Sequence, residues 1–128
     1  MDIQMRNGLL FTSMKLTYKG ASKVIENIVI DTGAAETIIS PDIVEEIGII
    51  TEPKDTVSSY YGVGGSLHNF FSKKVDEIDI ENVVVREVKL DFGVIDPSGD
   101  INGLLGLDFL VSTGAIIDLN RLKLEFRI

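Results

Sequence analysis

The chain has 128 residues, is 45% hydrophobic and carries a net charge of −8. That length suits a single domain over 1–128, with a core of useful size but no room for two lobes that each bring a carboxylate to one site. With no cysteine, one histidine (His68) and only twelve scattered Lys and Arg, the composition excludes disulfides and thiolate chemistry and argues against histidine metal sites, a Ser-His-Asp triad and nucleic-acid binding.

No apolar run approaches the ~18 residues of a membrane helix, so no membrane is expected as a partner. Leu9-Leu10-Phe11 is too short for a signal-peptide apolar region, which makes the cytoplasm the expected location. No metal and no cofactor are expected.

Apolar residues alternate over 10–18 and 24–30, and Lys19-Gly20-Ala21-Ser22 between them reads as the turn of a β-hairpin. Thr37-Ile38-Ile39 is strand-like. Ser40-Pro41-Asp42 has the order of a helix start: Ser40 as N-cap, Pro41 at the first helical position, and Asp42 favourable to the dipole. Gly48 then ends a short helix. Residues 57–72 predict a second hairpin with Gly62, Gly64 and Gly65 at its tip, and 75–92 two more strands around Glu81-Asn82. A polar loop over 96–103 leads to a short buried strand at Leu104-Leu105. A short helix over 107–112 is closed by Gly114, and a final hairpin, 115–119 and 122–128, turns at Asn120-Arg121. Strands with two short helices place the chain in the all-β class. Ile30-Asp31-Thr32-Gly33, a strand, a short helix and Gly48 are echoed by Leu104-Leu105-Gly106, a short helix and Gly114, a repeat that suggests a pseudo-two-fold within the domain.

The most informative stretch is Val29-Ile30-Asp31-Thr32-Gly33-Ala34. It puts a carboxylate where an apolar strand breaks into a glycine-containing turn, so that the core holds the group more accurately than a free loop does. Acid-catalysed hydrolysis of a peptide bond needs such a placement. The plainer reading is an Asx turn, with Asp31 bonded to its own backbone and Gly33 at positive φ. Three other motifs point elsewhere and fail on their neighbours. Asp91-Phe92-Gly93 has no phosphate-binding lysine or catalytic loop beside it. The loop from Asp96 lacks the glycine and glutamate of a calcium loop, with Ile101 and Leu107 in those places. Gly62-Val63-Gly64-Gly65 is followed by no helix pattern.

In their order along the chain, the first hairpin, Asp31-Thr32-Gly33-Ala34, the glycine-rich hairpin and Leu104-Leu105-Gly106 with its helix resemble the retroviral-type aspartic proteases, specifically the single-domain bacterial members related to retropepsin. The resemblance implies a small closed β-barrel that pairs into a homodimer, each chain giving one aspartate to a shared site. Asp31 is then catalytic, with Thr32, Gly33 and Ala34 in support: Thr32 linking to the partner's loop, the Gly33 N–H holding the carboxylate, and Ala34 leaving room for substrate. It also implies a flap at Gly62, Val63, Gly64 and Gly65, and pocket walls at Ile38, Leu104 and Val29, around an extended peptide. For these three residues plain core packing is the competing reading, and for the glycines an ordinary hairpin tip.

Independently of the family, a chain with one such carboxylate can form a dyad only by symmetric pairing. Two carboxyls ~3 Å apart share one proton, so one acts as base toward a water while the other donates to the scissile carbonyl. The chain departs from many viral members in having Ala35 and Leu107 where they pair an acid with an arginine to brace the dimer. The alternative is a dimeric peptide-binding or scaffold module that keeps the fold without turnover. Leu122, Leu124, Phe126 and Ile128 alternate in a way that suits either an interface or a core edge.

Overall fold

The computed structural model describes residues 2–61 and 67–127. Three tight turns organise its N-terminal two thirds. Asn7-Gly8, Lys19-Gly20 and Glu81-Asn82 each hold two successive residues at positive φ, the backbone that matches the twist of a two-residue hairpin. They join β1 (Gln4–Arg6) to β2 (Leu9–Tyr18), β2 to β3 (Ala21–Ile30), and β6 (Leu67–Ile80) to β7 (Val83–Gly93). β1 lies in a segment for which the sequence predicts no strand. β6 is one continuous strand where two shorter ones are expected, because it pairs with β5 (Thr56–Tyr61) along its first half and β7 along most of its length.

Two short strands complete the sheet: β4 (Ile38–Ile39) and β8 (Gly103–Leu105). The order β1-β2-β3-β8-β4-β7-β6-β5 closes on itself where residues 15–17 of β2 pair with 77–79 of β6. The result is a six-stranded barrel of β2, β3, β8, β4, β7 and β6, an arrangement that removes the free edges between those strands. At its centre β4 and β8 run antiparallel, flanked by the parallel pairs β3·β8 and β4·β7. The predicted repeat is visible here. β4 leads into α1 (Pro41–Val44) and Gly48 (φ 88°), and β8 into α2 (Leu107–Ser112) and Gly114 (φ 59°).

α1 is shorter than expected and passes into a 3₁₀ turn, Glu45–Ile47, before Gly48. Ser40 has the extended backbone of an N-cap, but its side chain makes no cap bond, and its carbonyl accepts from the Ile43 N–H instead. The final hairpin is β9 (Ala115–Asp118) with β10 (Lys123–Phe126), and Leu122, at φ 52°, belongs to its turn. Leu124 is buried and Phe126 meets Phe109 edge to face, so this alternation serves the core edge. Among the described residues no helix is long and apolar enough to cross a membrane.

Candidate active site

Which way Asp31 faces is decided four residues earlier. Between the pairs Thr12↔Ile28 and Met14↔Ile25, β3 sets two residues, Glu26 and Asn27, against the single Ser13. Asn27 sits at φ 59°, a left-handed conformation that asparagine tolerates better than most residues. Such a bulge shifts the alternation of the strand by one. Ile25, Ile28 and Ile30 therefore all enter the core, and Val29 belongs to the other face, which Asp31 continues. Without the extra residue, strict alternation from Ile25 would point 27, 29 and 31 into the barrel. Neighbours absorb the disturbance. Asn102 gives its backbone N–H to the Asn27 carbonyl (2.9 Å) and its side-chain amide to the Glu26 carbonyl (2.9 Å), and Arg6 of β1 donates to Asn27 Oδ1 (2.7 Å).

Beyond β3 the chain stays tied to β8, with the Asp31 N–H on the Leu105 carbonyl at 3.0 Å. The Gly33 N–H donates to Asp31 Oδ1 at 2.9 Å, a bond common to the Asx turn and to the catalytic reading. Gly33 does not have positive φ. A Cβ here would lie 3.2 Å from that carboxylate oxygen, so close approach is what favours glycine. Thr32 is exposed and Ala34 half-buried.

A clamp under this loop is absent from the sequence expectations. Thr37, 1% exposed, gives its N–H to both carboxylate oxygens of Asp108 (3.1 and 3.0 Å) and its hydroxyl to Oδ1 (2.7 Å), while that hydroxyl accepts from the Gly106 N–H (3.0 Å). The Leu107 and Asp108 N–H groups bond to the carbonyls of Ala34 (2.8 Å) and Ala35 (3.1 Å). The backbones approach so closely that a Cβ on Gly106 would sit 2.6 Å from the Glu36 carbonyl carbon. The Asp31 loop is thus locked to the start of α2. A Thr followed far along by Gly-X-Asp is too common a pattern to single out without the contact.

Outward-facing residues form a row across adjoining strands: Phe11, Val29, Leu104, Ile38, Asp91 and Ser72 are successive register partners. Val29 and Ile38 are buried and Leu104 is half-buried, and none belongs to the barrel core cluster, whose members in these strands are Ile25, Ile28, Ile30, Leu105 and Ile39. The three residues expected as pocket walls therefore stand together on the face that Asp31 continues. The row ends in a polar group. Asp91, 4% exposed, accepts from Ser72 Oγ (2.7 Å), and Lys89 bridges it (3.2 Å) to Glu36 (3.3 Å). A hydrogen bond and charge from Asp91 push the Glu36 carboxyl up. Burial also acts to raise Asp91, but hydrogen bonds from Glu36, Ser72 and Lys89 outweigh it and hold Asp91 down.

The flap residues Gly62, Val63, Gly64 and Gly65 lie outside the described residues. The loop from Asp96 closes on itself, its carboxylate taking the N–H groups of Ser98, Asp100 and Ile101, and among the described residues no cluster suits a metal.

A family model described as gag-polyprotein putative aspartyl protease matches residues 20–112, which span β3, the Asp31 loop, β4 to β8 and α2. The chain belongs to that family. This aspartyl-protease-family chain also shares its fold with a retropepsin-like aspartic protease from Rickettsia conorii (TM-score 0.61, 15% identity, 91% of this chain and 82% of that one). The retroviral protease-like domain of Ddi1 from Leishmania major matches at TM-score 0.63 with 14% identity, over 92% and 87% of the two chains. EIAV protease complexed with the inhibitor HBY-793 matches at TM-score 0.62 with 19% identity, over 91% of this chain and 100% of that one. No curated protein matches in sequence. The fold is therefore the retropepsin-like all-β barrel with two short helices.

Lys73 of β6, 6% exposed, donates to Glu52 (2.7 Å) and Asp55 (3.0 Å), and Asp55 also takes the Glu52 N–H (2.7 Å). This ties residues 52–55 to the barrel one residue before β5 begins.

Proposed function

We propose that the protein is an aspartic endopeptidase that works as a homodimer, with Asp31 of each chain supplying half of a catalytic dyad. The observation that carries this reading is the outward-facing, strand-anchored Asp31, held by the Gly33 N–H at the end of the apolar row Val29–Leu104–Ile38 in a chain of the aspartyl protease family. One carboxylate per chain makes symmetric pairing necessary. Two Asp31 carboxyls in contact hold one proton between them, because both cannot ionise at so short a distance. The ionised member takes a proton from a water lying between them, and that water attacks the scissile carbonyl. The protonated member gives its proton to the carbonyl oxygen, forming a tetrahedral intermediate without an acyl-enzyme. Thr32, exposed in the single chain, faces the partner loop in this arrangement, and Ala34 leaves space for the substrate backbone. The substrate is an extended peptide whose backbone pairs with the walls of the cleft and whose apolar side chains meet Val29, Leu104 and Ile38. The segment Gly62, Val63, Gly64 and Gly65 covers it as a flap.

Asp31→Asn keeps the size and bonding pattern of the loop and removes the acid. It is expected to abolish cleavage of an unfolded test protein while leaving the unfolding midpoint nearly unchanged, as read by peptide release and by denaturant titration. Cleavage by the variant at the wild-type rate would refute the dyad. A wild-type chain that binds peptide as tightly as the variant and cuts nothing would favour the binding module.

A further inference from the structure

The Asp31 loop is fastened to α2, and also to β7 through a polar group that the proposed reaction does not use. Glu36 is the residue where the two fastenings meet. Its main chain packs on Gly106, where a Cβ would meet the Glu36 carbonyl carbon at 2.6 Å. Its side chain reaches β7, where Lys89 Nζ lies 3.3 Å from Glu36 Oε2 and 3.2 Å from Asp91 Oδ1. One ammonium is thus shared by an exposed carboxylate and by Asp91, which is buried. The backbone seam at this place is slight. β4 is two residues long, its parallel register with β7 is Ile38↔Asp91 and Ile39↔Phe92, and the Asp91 N–H reaches the Thr37 carbonyl only at 3.4 Å. Two carboxylates on one ammonium leave a negative charge uncompensated when all three groups are ionised. The proton that relieves it goes to Glu36, because Asp91 keeps a further donor in Ser72 Oγ at 2.7 Å. In accord, the hydrogen bond and charge of Asp91 raise the Glu36 carboxyl, while burial of Asp91 is outweighed by bonds from Glu36, Ser72 and Lys89 that hold it down. Protonated Glu36 donates to Asp91 and joins the loop to β7 directly. Ionised Glu36 is joined only through Lys89.

We propose that Glu36 is a positioning residue for Asp31, and that its bond to Asp91 is a proton-dependent latch between the catalytic loop and β7. The inference rests on the endopeptidase reading and deepens it by naming a residue that acts on the reaction through the loop. The other charged groups nearby are engaged elsewhere: Asp108 of α2 with Thr37, Lys74 of β6 with Glu87 (3.6 Å), and Asp31 with the Gly33 N–H. A raised acid contributes fully below its unfolded value and loses its contribution as pH climbs through the higher folded one. A lowered acid contributes above its unfolded value and loses its contribution as pH falls through the lower folded one. The latch is therefore closed between the lowered value of Asp91 and the raised value of Glu36, a window around pH ~4, and it opens as pH rises toward neutrality.

The test is the pH dependence of kcat and KM for the full chain, Glu36→Gln and Glu36→Ala, on a peptide taken from a cleaved unfolded protein. Carboxyl carbon-13 shifts of Glu36 and Asp91 are followed over the same range. Glutamine donates to Asp91 at every pH and alanine at none. A pair this exposed is worth little in water, so wild-type kcat is expected to fall only about two- to fivefold, at steady KM, as pH climbs through the Glu36 titration. Glu36→Gln is expected to lack that step and hold the higher plateau, and Glu36→Ala to stay on the lower one. A Glu36→Gln profile that superimposes on the wild type overturns the proposal, as does Glu36→Ala with full kcat at low pH or a Glu36 carboxyl that titrates in the ordinary range. Each of these results leaves the endopeptidase reading standing. A wild-type chain that cuts nothing at any pH removes that reading and the positioning role with it.

Discussion

Asp108 provides what the backbone around the Asp31 loop lacks, an acceptor beneath Thr37. Three donations from Thr37 converge on one carboxylate, and the Thr37 hydroxyl takes the Gly106 N–H in turn. Truncating Asp108 to Ala would leave the Thr37 N–H buried without a partner, a loss worth about 1–3 kcal/mol. The expected outcome for Asp108→Ala is an unfolding free energy, read from urea titration, lowered by that amount. Turnover should fall by roughly tenfold to a hundredfold, because a displaced loop misplaces the carboxyl. A variant with wild-type stability would show that the clamp contributes nothing.

At the scale of the strand, the bulge of β3 connects local backbone to site geometry. Asn27 occupies a left-handed conformation that costs an ordinary L-residue about 1–2 kcal/mol, and a β-branched side chain is among those least suited to it. Asn27→Val is expected to lower stability by that much in urea unfolding and to reduce cleavage, since the favoured repair, straightening the strand, turns Asp31 toward the core. Asn27→Gly, which relaxes the backbone term but also loses the bond from Arg6, should lie nearer the wild type. Equal losses for the two variants would mean that the side-chain bond and not the bulge conformation is what matters.

At the scale of the whole molecule, acid stability depends on the link between residues 52–55 and the barrel. Hydrogen bonds from Lys73 hold the carboxyls of Glu52 and Asp55 below the ordinary range. Burial works against the Lys73 charge, but its bonds to Asp55 and Glu52 prevail and raise its pKa. Depressed acids contribute stability that is complete above their unfolded values, near pH ~4, and is lost as pH falls through the lowered folded ones. The raised lysine contributes fully below its unfolded value, near pH ~10.4, and loses its contribution only as pH climbs through the higher folded one. Lys73→Met is therefore expected to lower the thermal midpoint at neutral pH and to flatten its decline on the acid side, because the two carboxyls regain ordinary pKa values. Parallel curves of midpoint against pH would contradict the assignment.

Much of the barrel was legible in the residues themselves. Alternation marked β2 and β3, glycine marked the ends of both short helices, and 107–112 was readable as a helix to the residue, because those signals depend on near neighbours along the chain. β1 escaped although Asn7-Gly8 is a hairpin signal, since Gln4, Met5 and Arg6 are all exposed and show no alternation. The order of the sheet, with β8 inserted between β3 and β4, has no local signature at all, being set by which strands bury the most together.

Asp31-Thr32-Gly33-Ala34 by itself determined the kind of chemistry to look for, since a short motif carries its functional groups within a few residues. Only the tertiary structure decided that Asp31 continues the outward face and that Val29, Leu104 and Ile38 stand side by side. It also decided that Asp108 meets Thr37. Each of these depends on strand parity after the bulge or on a contact between residues about seventy apart in the chain, and such contacts are chosen by packing of the whole barrel.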